Sequence, residues 1–293
     1  MCGYKKTLEE NYNRIDKIKS KIYSSKIGDI EYLLRGKGPT ILISHGISGG
    51  IDQGNSLANI FFSSNYRFLL ISRFGYLKSP MPKNSSPKLQ AKAYKLLLNY
   101  LGIEKVIIFA NSAGSTSAIQ FAIKYPQFCG GLILQAPNAP LDFLPGKPPK
   151  FIFKSNFVYW FFLRLFGKRM LSMFVPKAVT EQLSKQEISD IIDNIFFSGL
   201  PITGRTDGII FDNYVSNPSI NDNVPFEKIK APTLILNAKD DPATVIEGAR
   251  TLSEKISNCM LVEFDSGGHL MINCEQEAKQ RIDDFIKEKI NLS

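Results

Sequence analysis

Histidine is scarce in this chain: of 293 residues, only His45 and His269 carry an imidazole. A histidine-rich metal site is therefore excluded, and no metal is expected. The four cysteines, Cys2, Cys129, Cys259 and Cys274, form no C-x-x-C pair and no other metal spacing. Cys129 and Cys259 stand at the starts of predicted strands, which predicts buried, reduced thiols. No run of about 18 apolar residues occurs, so no helical membrane span is predicted. The N-terminus has no apolar h-region, so no secretory signal is expected. For the chain as it stands this predicts a cytoplasmic protein. Met1-Cys2-Gly3 ahead of a Lys-rich stretch leaves membrane or lipid anchoring upstream of Gly3 as the alternative.

The formal charge is +9, with 44% hydrophobic and 22% charged residues. That balance describes an ordinary globular chain, long enough for one core plus a subdomain. The lysines are spread widely, with no arginine-rich run, so they read as a solvated surface rather than a nucleic-acid footprint. No oligomeric state follows from the composition.

The most informative stretch runs from Lys105 to Ala122. A β-branched apolar run stops at Asn111-Ser112-Ala113-Gly114 and a helix-compatible pattern begins at once. Small residues there permit a tight strand-to-helix turn that lifts one serine hydroxyl above a sheet, in front of a helix N-terminus. Further buried strands are predicted at 39–44, 66–72, 131–137, 233–238 and 260–264, with a shorter one at 28–35. Helices are expected at 86–101, 114–125, 245–257 and 276–290. The α/β alternation breaks between residues 138 and 225. The predicted organisation is a helical extension at 1–27, an α/β core at 28–137 and 226–293, and a mainly helical lid at 138–225.

Two polar groups follow Ser112 in an order suited to acyl transfer. Asp240-Asp241-Pro242 comes just after the strand ending at Ala238, and Gly267-Gly268-His269 follows the last strand. Both stand at strand carboxyl ends, on the same sheet edge as Ser112. A serine nucleophile needs a base within hydrogen-bond reach, a group that orients the base, and donors for the developing oxyanion. Each piece has a plain structural alternative: a turn with a surface histidine, or a helix N-cap aspartate. Their joint order argues against coincidence.

Over residues 28–290 the chain resembles the α/β-hydrolase superfamily. Ala110-Asn-Ser112-Ala-Gly114 is similar to its nucleophile elbow G-x-S-x-G, with alanine for the first glycine. His45-Gly46 is similar to its oxyanion loop, and Ser72-Arg73-Phe-Gly-Tyr-Leu-Lys-Ser79 to its R-x-G-x-x-x-S segment. The resemblance implies an α/β fold with a mostly parallel central sheet flanked by helices. It also implies a cofactor-independent serine hydrolase with Ser112 as nucleophile, His269 as base and Asp241 as orienting acid. Asp240 is the runner-up for the acid. The implied oxyanion donors are the backbone N–H groups of Ala113 and Ile47, with Ser48 a neighbouring candidate. The implied substrate is a small hydrophobic carboxylic ester. Amides, C–C bonds and perhydrolysis remain open on the same triad, as does a pure ligand-binding role.

His45 is expected to be structural, with substrate contact as the alternative. The aromatic stretch Phe157–Phe166, containing Trp160 and Phe161, reads as lid packing, as an apolar wall for substrate, or as a peripheral membrane contact helped by Lys154, Arg164, Lys168 and Arg169. Arg205, Gly208 and Asp212 suggest a clasp within the lid, with no chemistry assigned.

Overall fold

The apolar runs become strands of one eight-stranded sheet. The structure is a computed structural model that describes residues 2–141 and 147–290. Residues 142–146 of the expected lid and 291–293 of the expected core lie outside the described residues. In chain order the first elements are α1 (Cys2–Asp16), β1 (Lys21–Ser25), β2 (Gly28–Gly36), β3 (Thr40–Ser44), α2 (Ile51–Phe61), β4 (Arg67–Ile71), α3 (Pro87–Tyr100), β5 (Val106–Asn111), α4 (Ser115–Lys124) and β6 (Cys129–Gln135). The lid region contributes α5 (Asn156–Leu171), α6 (Lys177–Thr180), α7 (Lys185–Ile195) and α8 (Thr206–Phe211). The chain then closes with β7 (Thr233–Ala238), α9 (Ile246–Lys255), β8 (Cys259–Phe264) and α10 (Glu275–Lys289).

Strand order is β1-β2-β4-β3-β5-β6-β7-β8. β1, β2 and β4 pair antiparallel, and all later neighbours pair parallel. The central strands are apolar on both faces because helices cover both. Ile41, Ile43 and Phe109 face α2 and α10, through Phe61 and Phe285; Leu42, Ile108 and Leu134 face α3, α4 and α9, through Leu97, Ile119 and Leu252. From β3 the chain steps outward to β4, then crosses back to β5. The switch point therefore lies between β3 and β5, where open α/β sheets place their ligand-binding loops.

Three elements depart from the sequence-based expectation. Residues 21–25, expected within a helical extension, form an edge strand held by pairing with β2. α2 had no counterpart in the sequence reading. It carries Gly54 and Asn55, poor helix formers, and is held by burial of Ile51, Ala58 and Phe61 against the sheet. Each such large apolar side chain contributes about 1.5–3 kcal/mol relative to exposure. The expected loop around Arg205 and Asp212 is the short helix α8 followed by a π-turn. Of the two expected buried thiols, Cys129 is buried, which pushes it up to about 12, whereas Cys259 is only partly covered.

The inserted helices build a core of their own from Tyr159, Leu163, Ile192, Phe197 and Ile209. Two crossed ion pairs fasten that cap to the sheet domain. Arg73, after β4, grips Asp212 at the end of α8 at 2.8 and 2.6 Å, and the Tyr76 hydroxyl donates to the same carboxylate at 2.5 Å. In the opposite sense Arg205, at the start of α8, grips Asp52 of α2 at 3.1 and 2.7 Å. Arg14 of α1 joins Asp52 at 2.7 Å and donates to the Ser198 carbonyl at 2.6 Å. Burial alone would raise the Asp52 carboxyl; Arg205 and then Arg14 outweigh it and hold it well below the usual range. Its stabilising contribution is present above the ordinary carboxylate range and is lost as pH falls through the depressed folded value. Gly208 is obligatory in this clasp, since a Cβ there would lie 2.2 Å from the Tyr76 ring.

Candidate active site

Ser112 sits directly after β5 with φ of +47°, a left-handed backbone that costs a non-glycine residue about 1–3 kcal/mol. Its surroundings over-determine the strain. A Cβ at Gly114 would lie 2.3 Å from the Ser44 carbonyl oxygen and 2.6 Å from that of His45, so only glycine lets the elbow approach the end of β3. Ser115 Oγ donates to the Ser112 carbonyl at 2.6 Å, locking the turn. The resulting half-buried serine stands at the switch point, before the first turn of α4.

The loop after β3 packs against this elbow. Gly46 abuts the Asn111 carboxamide so closely that a Cβ would sit 2.3 Å from Oδ1. The Gly46 amide donates to Gln53 Oε1 at 2.7 Å, while the Ile47 amide has no acceptor among the described residues. On the other side, Ala113 contributes a first-turn amide, a position without an intrahelical acceptor. Both N–H groups are thus uncommitted.

Asp241 and His269 come together at the carboxyl ends of β7 and β8. His269 Nδ1 lies 2.9 Å from Asp241 Oδ2, with both residues buried. The other carboxylate oxygen accepts from the Ala243 and Thr244 amides at 2.7 and 2.9 Å, which fixes its rotamer. Burial works to raise the Asp241 carboxyl, but the His269 contact and the Thr244 hydrogen bonds prevail and hold it below the usual range. An ionised Asp241 keeps the imidazole proton on Nδ1 and leaves Nε2 as the acceptor.

The runner-up Asp240 points elsewhere. Its carboxylate accepts from the Gly267 and Gly268 amides at 3.3 and 2.9 Å and so shapes the loop that carries His269. His45 is fully buried. Its Nδ1 hydrogen-bonds the Gly46 carbonyl at 2.7 Å and its Nε2 accepts from the Arg73 amide at 3.0 Å. Burial, then Arg73, holds this imidazole well below its ordinary value, so it stays neutral. The structure therefore makes His45 a framework residue, not a substrate contact. Of the three readings of the aromatic stretch, Trp160 takes the packing one, against Tyr4 of α1, while Phe161 stacks on Phe157 and is half exposed.

Several residues at the site escaped the sequence reading. Gln135 at the end of β6 accepts from Asn111 Nδ2 and donates to the His269 carbonyl at 3.2 Å, tying the elbow to the histidine loop. Phe174, which follows α5, accepts the His269 amide at 2.7 Å and sets its ring 5.6 Å from the imidazole. The signal for Gln135 was its place at the end of a buried strand; Phe174 gave none. Thr244 Oγ1 donates to Asp241 Oδ2 at 2.6 Å and lies 3.2 Å from His269 Nδ1, so it braces both partners. Thr244→Val should lower kcat roughly 5- to 30-fold, the equivalent of about 1–2 kcal/mol for one charge-assisted hydrogen bond. KM should stay within about twofold, because the hydroxyl acts through Asp241 and His269. Thr244→Ser should restore most of the rate, and steady-state kinetics on the three proteins would reveal any failure of that pattern.

Residues 39–272 match the family model described as the alpha/beta hydrolase fold. Among related sequences is a 2-hydroxy-6-oxononadienedioate/2-hydroxy-6-oxononatrienedioate hydrolase of Paraburkholderia xenovorans. It is 29% identical over 270 residues, covering 85% of this chain and 89% of that protein. A 2-hydroxy-6-oxo-6-phenylhexa-2,4-dienoate hydrolase of Comamonas testosteroni is 34% identical over 137 residues, 44% of this chain and 46% of that protein. Among solved structures, an esterase from Exiguobacterium antarcticum superposes with a TM-score of 0.69 at 19% identity, over 92% of this chain and 99% of that one.

Proposed function

This chain belongs to the α/β-hydrolase fold family, and on that premise we propose that it is a serine hydrolase acting through Ser112, His269 and Asp241. The observation that carries the reading is the strained Ser112 at the switch point, on the same sheet edge as a buried His269–Asp241 pair. Ser112 Oγ attacks a carbonyl carbon while His269 Nε2 takes its proton. The negative charge on the carbonyl oxygen falls between the Ala113 and Ile47 amides. Collapse expels the leaving group, which takes the proton from His269, and water then hydrolyses the acyl-enzyme. Asp241 holds the imidazole in its tautomer throughout.

For the bond cleaved, the named relatives support C–C hydrolysis rather than ester hydrolysis. A 2-hydroxy-6-oxo-dienoate contains no ester or amide, so water must cleave beside the 6-ketone. A proton first moves from the 2-hydroxyl to C5. Ser112 then adds to C6, the C5–C6 bond breaks, and its electron pair delocalises back to the new 2-oxo group. The ester reading keeps one observation of its own. Arg73 and Arg205, the fully buried cations among the described residues, are already neutralised by Asp212 and Asp52. A second substrate carboxylate finds no free buried guanidinium there, which favours substrates with an apolar 6-substituent, or plain hydrophobic esters.

One assay separates the readings. Purified enzyme is given 2-hydroxy-6-oxo-dienoates with carboxylated or phenyl 6-substituents, and p-nitrophenyl esters of increasing chain length. The phenyl ketone should be turned over with kcat/KM at least about tenfold above the best ester. The reverse ranking would assign the enzyme to ester hydrolysis, and no turnover of either class would refute the hydrolase reading.

A further inference from the structure

The outer face of α5 carries a run of exposed large apolar side chains. Phe157, Phe161 and Leu165 repeat at four-residue spacing on one side of the helix and are 45%, 50% and 60% exposed. Val158 lies on the same side and is 37% exposed; Met173, just past the helix, is 60% exposed. Tyr4 of α1 packs edge-on against both Trp160 and Phe157, so α1 covers the N-terminal end of the stripe and leaves Phe161 and Leu165 open. Large apolar side chains scattered singly need no explanation, but a contiguous aromatic stripe on one helix marks an interaction surface.

Charge indicates what covers it. No acidic residue occurs between Asp142 and Glu181, a span holding seven lysines and arginines. On α5 itself, Lys168 and Arg169 share the exposed arc with the apolar stripe, three and four residues from Leu165, while the Arg164 guanidinium lies over the Trp160 and Phe197 rings. The ordinary companions of a solvated helix, alternating acids and bases, are missing. A second copy of this chain would bring like charge onto like charge. A neutral apolar partner would leave the cations unanswered.

We propose that this face of the cap is a docking surface for an anionic lipid bilayer, with Phe157, Phe161 and Leu165 entering the interface and Lys168 and Arg169 meeting the headgroups. A helix lying in the membrane plane needs apolar side chains flanked by cations. α5 has both, and it leads directly into Phe174, whose carbonyl holds the His269 backbone. Docking there would bring the candidate site close to substrates dissolved in the bilayer.

The full-length protein is sedimented with vesicles of phosphatidylcholine alone and of phosphatidylcholine with 30% phosphatidylglycerol, in 50 mM and 500 mM salt. Binding to the anionic vesicles should exceed binding to the neutral ones by about tenfold or more, and should fall steeply with salt. Lys168→Glu/Arg169→Glu should abolish that preference, and Phe161→Ser/Leu165→Ser should weaken binding at least about fivefold. All four positions are exposed, so thermal unfolding should match the parent. Equal binding to both compositions, no binding to anionic vesicles, or variants that bind like the parent would each overturn the proposal. So would a concentration-dependent dimer that both variants dissociate, which would put a second copy on this face. An acidic protein captured in place of anionic vesicles would overturn it too.

Discussion

Ser112→Ala is expected to lower kcat by at least about 10,000-fold while leaving a folded protein that still binds substrate. The reason lies in the backbone more than in the hydroxyl. The turn is held by Gly114 against the Ser44 and His45 carbonyls and by Ser115, and an alanine at +47° is no more strained than the serine. The substitution therefore removes the attacking atom and little else. A fluorophosphonate probe should label the parent and fail to label Ser112→Ala or His269→Gln. The two aspartates should then separate sharply. Asp241→Asn offers its amide N–H to His269 Nδ1 or loses the contact, so the imidazole adopts the wrong tautomer, and a loss on the order of 10,000-fold is expected. Asp240→Asn keeps one oxygen for the Gly268 amide, gives up the longer 3.3 Å contact with Gly267, and should cost no more than about tenfold. Retained labelling in Ser112→Ala, or equal losses for the two aspartates, would refute the assignment.

The largest stability effect should come from the cap clasp. Arg73 and Asp212 are 2% and 0% exposed and share two hydrogen bonds. Asp212→Ala leaves a guanidinium charge in the interior with only the Gly46 carbonyl, 3.2 Å away, as acceptor. Orphaning one member of a buried pair costs about 3–5 kcal/mol, which for a chain of this size corresponds to a fall in melting temperature of roughly 5–8 °C. Replacing both charges, Arg73→Met with Asp212→Leu, should cost clearly less than the two single changes added together. No charge is then left alone, although the Tyr76 hydroxyl still loses its acceptor at about 1–3 kcal/mol. Denaturant unfolding of the four proteins completes the double-mutant cycle. A coupling below about 1 kcal/mol would mean that the pair is solvated in a way its burial does not suggest.

What could be read from the sequence was whatever depends on short-range pattern. The strands at β3, β5, β6 and β7 are apolar because both faces are covered, and that leaves a continuous run in the text of the chain. The order of Ser112, Asp241 and His269 was visible for the same reason: each follows a strand end. α2 was not visible, because Gly54 and Asn55 contradict a helix that only its packing on the sheet enforces. β1 is half exposed and gains its strand character from β2. The aromatic run 157–166 predicts a helix but not its rotation, which is why three readings stay open there until α1 takes Trp160. The choice between Asp240 and Asp241 turned on a loop whose side-chain directions are opposite at adjacent residues, which spacing alone does not encode.

The crossed clasp also bears on how such enzymes diversify. In one pair the cation belongs to the sheet domain and in the other to the cap, so excising residues 138–225 would strand Arg73 in the core and leave Asp52 to Arg14 alone. The cap is thus not a cassette that recombination can exchange whole. Its exchangeable parts are the helices α5 and α7, which can carry new surfaces, while Phe174, whose carbonyl holds His269, and the turn from Arg205 to Asp212 form the keel to which any replacement must be joined.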